Sequence, residues 1–257
     1  MATEQELAPI RSRLFGLIAE ERITAVQIQR PAQEVLDAFL GLTDLSPSVS
    51  DALDELGVGG GVPASALRPL RDGQRAVGPA ITIRYVPAGG SPGALSGRGE
   101  PARLADRDLY GIGQVGDIAV FDCGGHGEAS VMGGLSAAWA RRLQIGACVI
   151  DGAIRDVEGI RAEGPSVWSR GRTPVSGKHR LEAIEINGAV SLAGVTVHPG
   201  DLVVADDSGV CVVPQAHIAA VRAIAVAAER AEREVTDAIL NGASPVDVAS
   251  IRAPERW

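Results

Sequence analysis

Two turns of the chain combine residues that could bind and activate a small anion. The first is Arg155-Asp156, which follows the apolar run ACVIDGA (147–153). Arginine holds a carboxylate or an enolate oxygen through paired hydrogen bonds and does not lose its charge. Aspartate is a hard oxygen ligand suited to Mg²⁺ or Mn²⁺. A divalent cation beside an arginine suits chemistry that develops an enolate, such as aldol cleavage or decarboxylation of a 2-oxo acid.

The second turn is Met132-Gly133-Gly134-Leu135, which opens a predicted helix, GGLSAAWARRLQIG. A helix N-terminus preceded by glycines exposes free N–H groups at the positive end of the helix dipole, and this is a natural cradle for a carboxylate. Both turns also have a structural interpretation. Asp156 could cap a surface helix, and the glycine pair could serve tight packing of a strand against a helix.

The elements around these turns predict a mixed α/β domain with a layered sheet. Apolar runs predict strands, and ligands of such folds bind beyond the carboxyl ends of strands. A long Ala-rich helix follows a series of short strands, and the first 45 residues look helical. A Gly/Pro/Ser-rich stretch, 86–105, predicts a binding loop or lid. The predicted strands include AVGPAITIRYV, DIAVFDC and ACVIDGA, and the long helix is HIAAVRAIAVAAERAEREVTDAILNG.

Composition narrows the class of protein and its partners. Hydrophobic residues make up 46% of the chain but aromatics only 3%, so the core must be built from aliphatic side chains, as in buried strands. The net charge is −8 and no basic stripe is visible, which argues against nucleic acid as a partner. No apolar run has spanning length and the N-terminus lacks a signal core, so we expect a cytoplasmic protein that binds no membrane.

Several segments together resemble the RraA-like family. That family includes the class II pyruvate aldolases that cleave 4-hydroxy-4-methyl-2-oxoglutarate and 4-carboxy-4-hydroxy-2-oxoadipate. The resemblance runs from about residue 46 to 245 and implies an αββα, swivelling-domain-like catalytic domain over 46–257, behind a helical extension at 1–45. It also implies a homotrimer or hexamer with active sites between subunits. The segments are DALDELGV, VGPAITIRYV, GDIAVFDCGG, GGLSAAWARR, GACVIDGAIRDVEGIR and HPGDLVVADDSGVCVVP.

The resemblance implies a role for each residue of the two turns. Arg155 would stabilise the pyruvate enolate and Asp156 would hold Mg²⁺ or Mn²⁺. The backbone N–H groups of Leu135 and Ser136, beside Gly133, would take the substrate carboxylate. The family pattern is an acid, twenty intervening residues and then Arg-Asp, and the acid position is Gly134 in this chain.

Other residues could complete the site. Glu128 and Asp122 are nearby acids that could substitute for the missing one. The aldolases also take a glutamate from a neighbour's C-terminal segment, which matches Glu234 here, with Glu232 as the rival. His126, in a Gly-rich turn, could act as a general acid or base or could be a solvated loop residue.

The basic segment RGRTPVSGKHR (170–180) could bind the far end of an acidic substrate or could be a solvated loop. Its candidates for substrate selection are Lys178 first, and then Arg170, His179 and Arg180.

The leading hypothesis is a metal-dependent carbon–carbon lyase that releases pyruvate from a small anionic 2-oxo acid. A second hypothesis keeps the site but changes the reaction to a metal-assisted hydrolysis or isomerisation. A third is a non-catalytic binding protein resembling the ribonuclease regulators of the family. No G-x-G-x-x-G turn between a strand and a helix is present, which argues against a dinucleotide or S-adenosylmethionine site.

Overall fold

The structure, a computed structural model, describes residues 1–253. The helices are α1 (Glu4–Leu7), α2 (Gln33–Leu40), α3 (Leu45–Glu55), α4 (Pro92–Gly97), α5 (Asp106–Ile112), α6 (Gly134–Arg142), α7 (Val157–Glu163), α8 (Ile218–Leu240) and α9 (Pro245–Ile251). The strands are β1 (Gly61–Pro63), β2 (Arg68–Pro69), β3 (Ala76–Pro87), β4 (Ile118–Asp122), β5 (Ser130–Met132), β6 (Ala147–Ile154), β7 (Ser166–Arg172), β8 (Leu181–Ile186), β9 (Val190–Leu192), β10 (Val195–Val197), β11 (Leu202–Ala205) and β12 (Gly209–Val213).

One curled sheet organises the molecule. Its main path runs β1-β12-β11-β3-β4-β6-β7-β2, with β5 paired to β6 and β8 paired to β3, and β9 with β10 forms a separate hairpin. Strands β3, β4, β6 and β7 are parallel neighbours, whereas β11, β12 and β1 pair antiparallel. The long strand β3 pairs with β11 through its first residues and with β4 through its later ones, so it joins the two parts of the sheet.

Alternating side chains on the strands bury two faces of this sheet, as the two-residue period requires. On β4, Ile118 and Val120 enter the core between the two parts of the sheet, while Ala119 and Phe121 face α5 and α6. On the other side, Leu202 and Val204 of β11 pack against α3 and α8. The order of layers is therefore helix, sheet, sheet, helix, which confirms the predicted αββα class.

The first 45 residues are less helical than the sequence pattern indicates. Only α1, α2 and two short 3₁₀ turns are helical there, and the rest is extended or bent. Pro9 ends the first helix within a turn because proline cannot continue a helix, and Gly16 adopts positive φ. The segment packs on the main core through Leu7, Ile18 and Ile23. The boundary at residue 45 stays a prediction.

Asp108 fastens this N-terminal segment to α5. Its buried carboxylate accepts the backbone N–H groups of Phe15, Leu17 and Ile18 at 2.5, 2.6 and 3.2 Å. We expect Asp108→Ala to lower the free energy of unfolding by about 2–4 kcal/mol, because three backbone donors lose a charged acceptor. Urea unfolding followed by circular dichroism measures this. Asp72→Ala, which removes an exposed carboxylate, serves as the control, and an equal loss in both variants would contradict the prediction.

Within residues 1–253, none of the helices is both long enough and apolar enough to span a bilayer.

Candidate active site

The two turns singled out from the sequence meet at a cavity of about 560 Å³. The β5–α6 turn and the β6–α7 turn form one side. The rest is formed by Leu17, by the segment that leads into α5 together with the start of that helix, and by Ser176 and Lys178. The predicted residues that line the cavity are Gly133, Gly134, Leu135, Ser136, Arg155, Asp156 and Lys178. Pro101, Ala102 and Leu104, from the predicted binding loop, line it as well.

Strand pairing brings the two turns together. Strand β5 runs parallel to the end of β6, with Ser130 beside Ala153 and Met132 beside Ile154, and the Arg155 N–H donates to the Met132 carbonyl at 3.0 Å. Parallel strands end at the same edge of a sheet, so the helix start after β5 and the polar turn after β6 become neighbours.

The N-terminus of α6 has unused hydrogen-bond donors. Gly133, in extended conformation, precedes the helix, and the first helical bond runs from the Ala137 N–H to the Gly133 carbonyl. The Gly134 N–H donates to Asp156 Oδ2 at 2.9 Å. Within residues 1–253, the N–H groups of Leu135 and Ser136 have no acceptor, so they can bind an anion in the cavity.

The two glycines of this turn differ in how much space surrounds them. A Cβ on Gly133 would lie 2.7 Å from Asp156 Oδ2 and 3.2 Å from Arg155 Nε, so a side chain there would displace the Arg-Asp pair. A Cβ on Gly134 would lie 3.7 Å from both the Cβ and the Oδ2 of Asp156, which is an ordinary packing distance. Position 133 therefore requires glycine, whereas position 134 has room for a side chain.

Asp156 is the residue before α7, but it does not cap that helix through its side chain. Its backbone is left-handed, with φ of 54° and ψ of 41°, a conformation that aspartate tolerates better than most residues. The carboxylate is thereby directed to the N-terminus of α6 instead. The structure thus excludes the interpretation of Asp156 as a simple side-chain cap of its own helix.

Arg155 leaves most of its donors available. Its Nε lies 3.7 Å from Asp156 Oδ2, and its side chain is 41% exposed. Within the described residues, the guanidinium makes no other polar contact, so its remaining N–H groups can reach a ligand. The Arg155 guanidinium, two free backbone N–H groups of α6 and the accessible Asp156 carboxylate therefore share one cavity.

Sequence reasoning missed Asp106, which also lines this cavity. It begins α5, and burial raises the pKa of its carboxyl to about 6, while a hydrogen bond with the Ser136 side chain opposes the rise. In the sequence, ADRDLYGIG has the alternating charge of a surface helix, and nothing in the segment indicates a buried carboxyl. Only the packing of α5 against α6 and β3 shows it.

Asp122 at the end of β4 and Asp151 beside it within β6 have structural partners away from the cavity. Asp122 accepts the Ser191 N–H at 2.9 Å, and Asp151 accepts the Ala193 N–H at 2.9 Å and the Arg170 Nε at 2.6 Å. The bonds to Ser191 and Ala193 hold the β9–β10 hairpin against β4 and β6, and the bond to Arg170 links β6 to β7. Asp122 is therefore not placed to substitute for the acid missing at position 134.

The other predicted site residues do not line this cavity. His126 and Glu128 lie in the turn between β4 and β5, and Glu234 lies on α8, where it lines a separate hollow against α2. Glu232, its rival, is also on α8 and lies 3.4 Å from Arg252. Because the role expected of Glu234 is in a neighbouring subunit's site, it stays a prediction, as does a catalytic role for His126.

The side chains of the cavity that could act as metal ligands suit some metals better than others. In residues 1–253 there is no cluster of three or more His, Cys, Asp or Glu side chains that could hold an ion. Asp156 is thus the one predicted ligand, and its Oδ1 makes no hydrogen bond within these residues. Such a set does not suit zinc, but it suits Mg²⁺ or Mn²⁺, which keep several waters and bind through one or two carboxylates plus substrate oxygens.

Comparison with known proteins identifies the family. The model described as "RraA-like: Aldolase/RraA" matches residues 46–212. Protein DlpA of Legionella pneumophila is 33% identical over 199 residues, which is 77% of this chain but only 31% of DlpA. A protein of Halalkalibacterium halodurans named "Putative 4-hydroxy-4-methyl-2-oxoglutarate aldolase" is 32% identical over 65% of this chain and 71% of its own length.

Solved structures agree with this assignment. An uncharacterised protein from Pseudomonas syringae pv. tomato aligns with a TM-score of 0.71 at 32% identity, over 88% of this chain and 100% of that one. Streptomyces coelicolor RraAS2, titled an unusual member of the RNase ES inhibitor RraA family, aligns with a TM-score of 0.68 at 26% identity, over 80% and 98%. The chain belongs to the RraA-like family, as its motifs predicted.

Proposed function

We propose that the chain is a divalent-metal-dependent lyase that cleaves or decarboxylates a small 2-oxo acid and releases pyruvate. The observation that carries this proposal is the convergence of Arg155, Asp156 and the free N–H groups of α6 on one cavity. Relatives named as aldolases of 4-hydroxy-4-methyl-2-oxoglutarate support the reaction class.

The chain's own residues account for binding and for stabilisation of the developing charge. The substrate carboxylate would accept the N–H groups of Leu135 and Ser136, where the helix dipole favours an anion. Arg155 would donate to the C2 oxygen, which gains negative charge as the carbon–carbon bond breaks and the enolate forms. A donor aimed at developing charge stabilises the transition state more than the bound substrate, so it raises the rate. Lys178 would contact the distal acidic group of the substrate.

Asp156 would hold the metal, with Gly134 N–H fixing one of its oxygens. When bound, Mg²⁺ or Mn²⁺ would act as a Lewis acid toward the 2-oxo acid. Because Gly134 N–H binds Oδ2, Oδ1 keeps its lone pairs available as a metal ligand within the described residues.

Pyruvate release from purified protein tests the proposal. The protein is incubated with Mg²⁺ or Mn²⁺ and a panel of oxaloacetate and 4-hydroxy-2-oxo acids, and pyruvate is measured with lactate dehydrogenase. A blank with metal but no protein is required, because divalent cations alone decarboxylate oxaloacetate. Removal of metal with EDTA is expected to abolish the release. No pyruvate above the blank for any substrate would refute the proposal.

Asp156→Asn is expected to weaken Mn²⁺ binding by about tenfold or more, since a charged ligand is lost while the side chain keeps its shape and can still accept from Gly134. Isothermal titration calorimetry measures the dissociation constant without reference to activity. The matched control is Glu158→Gln, an exposed carboxylate two residues further along. Equal affinity in Asp156→Asn and the wild type would remove Asp156 from the metal site.

We further propose that the protein acts as a homotrimer or hexamer whose neighbouring subunit contributes Glu234. Large apolar side chains exposed on α2, α8 and α9 support an interface on this side of the molecule. They are Leu40, Val226, Ile239, Leu240, Val246 and Ile251.

A second candidate function is non-catalytic binding of a ribonuclease. The glycine at the motif position and the likeness to RraAS2 both favour it. Capture of a ribonuclease, with no effect of Mg²⁺ or pyruvate on the melting temperature, would support this candidate against the lyase. A third, metal-assisted hydrolysis or isomerisation at the same site, predicts metal and anion binding without pyruvate release.

A further inference from the structure

Asp106 is a buried carboxyl group in the wall of the same cavity. The residue is 3% exposed, and the cavity lining includes it together with Ser136, Arg155 and Asp156. Its carboxyl forms a hydrogen bond with the Ser136 side chain, while the Ser136 backbone N–H is one of the free donors of α6. Asp106 therefore lies beside the position proposed for the substrate carboxylate, and the roles given to Arg155 and Asp156 do not use it.

A short chain of polar groups continues from Asp106 beneath the cavity. Ser136 Oγ lies 3.1 Å from the Tyr110 hydroxyl, which lies 3.7 Å from Cys148 Sγ. The Tyr85 hydroxyl is buried nearby, beside the backbone of Ala105 and Asp106. The charge of the neighbouring Arg107 partly offsets the cost of burying a negative charge on Asp106.

Burial raises the pKa of Asp106 to about 6, with the Ser136 hydrogen bond and the charge of Arg107 acting in the opposite direction. A carboxyl group with this pKa exists in both protonation states near neutral pH. That property is required of a group that must both accept and return a proton during one turnover.

We propose that Asp106 is a catalytic proton shuttle of the lyase reaction. The Asp106 carboxylate accepts the proton of the C4 hydroxyl while the C3–C4 bond breaks, and the C4 oxygen becomes a carbonyl. The bond's electron pair forms the pyruvate enolate, whose oxygen Arg155 binds. The Asp106 carboxylic acid then donates the same proton to C3, which gives the methyl group of pyruvate and restores the carboxylate. This inference rests on the proposed lyase function.

The direction of the pH dependence follows from the groups that face Asp106. They are Arg107, Asp108 and Tyr110 of α5, Tyr85 of β3, Cys148 of β6, and the cavity residues Arg155, Asp156 and Lys178. The carboxylate is the form that accepts a proton, so the rate is expected to rise with pH through the pKa of Asp106 and to fall below it. This rise is the acid limb of the pH–rate profile. A bound anionic substrate disfavours the Asp106 carboxylate and therefore moves the acid limb to higher pH.

Exchange of the pyruvate methyl protons in D₂O tests the shuttle without an aldol substrate. The full chain with Mg²⁺ and pyruvate is followed by proton NMR across a pH series. Asp106→Asn is expected to slow exchange by about 10²–10⁴-fold and to remove the acid limb. Pyruvate affinity from calorimetry should stay within about threefold, because the cradle and Arg155 are intact.

Ser136→Ala provides a second measurement that a purely structural role would not affect. This variant keeps the backbone N–H but loses the hydroxyl that lowers the pKa of Asp106, so the acid limb should move to higher pH. The control is Glu158→Gln, which removes an exposed carboxylate outside the cavity lining and should leave the acid limb at its wild-type pH.

Two outcomes separate the inference from the function on which it rests. If Asp106→Asn exchanges the pyruvate methyl protons at the wild-type rate, or if Ser136→Ala leaves the acid limb of the pH–rate profile unshifted, Asp106 is not the proton shuttle. Neither result contradicts the proposed lyase function. If the wild type neither exchanges pyruvate protons nor releases pyruvate from any substrate, the lyase itself fails.

Discussion

Arg155→Ala is expected to lower kcat/KM for pyruvate release by about 10³-fold, which corresponds to about 4 kcal/mol of transition-state stabilisation. The guanidinium is the one positive group of the β6–α7 turn, and it is aimed at the cavity together with the free N–H groups of α6. Without it, the enolate oxygen loses a charged donor inside a partly enclosed site. Steady-state kinetics with the best substrate of the panel measures the loss.

Two further variants separate this role from a general effect of charge. Arg155→Lys keeps the charge but not the planar fork, so it should recover only part of the loss. Arg172→Ala removes an exposed arginine at the end of β7, the strand beside β6, and should retain wild-type kinetics. Because Arg155 is 41% exposed, its replacement should change the free energy of unfolding by no more than about 0.5 kcal/mol. Wild-type kinetics in Arg155→Ala would exclude the proposed enolate contact.

The sequence was sufficient to predict β3, β4, β6 and the two turns of the site, but not the short strand β5 that leads into α6. The apolar runs of β4 and β6 are continuous and bounded by Gly or Asp, and β3 is a long run of mainly apolar residues. Twenty residues separate Gly134 from Arg155, as in the pattern of the family that the chain resembles. Parallel pairing of neighbouring strands then requires the two turns to meet. These features depend on local patterns and on one short crossover through α6.

What the sequence could not show depends on contacts between distant segments. The sequence places Asp122 and Asp151 at the ends of predicted strands, where a ligand could bind. In the structure Asp151 lies within β6, and both carboxylates accept backbone N–H groups of the β9–β10 hairpin, 69 and 42 residues further along. Asp108 and Asp106 are two residues apart in a segment of ordinary surface composition. One of them holds a segment 90 to 93 residues earlier, and the other faces the cavity. No local pattern distinguishes these two acids.

Gly134→Asp is expected to tighten Mn²⁺ binding by about 10–100-fold and to raise the rate of pyruvate release. A Cβ at this position meets Asp156 at 3.7 Å, an ordinary packing distance, so a side chain can enter without moving the Arg-Asp pair. A new carboxylate there would lie beside Asp156 at the first position of α6, where the helix dipole favours negative charge. Two adjacent carboxylates repel each other, and a bound cation relieves that repulsion, which makes metal binding more favourable.

The control for this variant is Gly134→Asn, which adds a side chain of similar size without charge and should bind Mn²⁺ no more tightly than the wild type. Gly133→Ala is the opposing case, because its Cβ would lie 2.7 Å from Asp156 Oδ2 and must displace the ligand. We expect it to weaken metal binding although it adds one methyl group. If Gly134→Asp binds Mn²⁺ no better than Gly134→Asn, then position 134 does not face the metal. If binding tightens but pyruvate release does not rise, the natural glycine belongs to a site adapted to a different metal-assisted reaction.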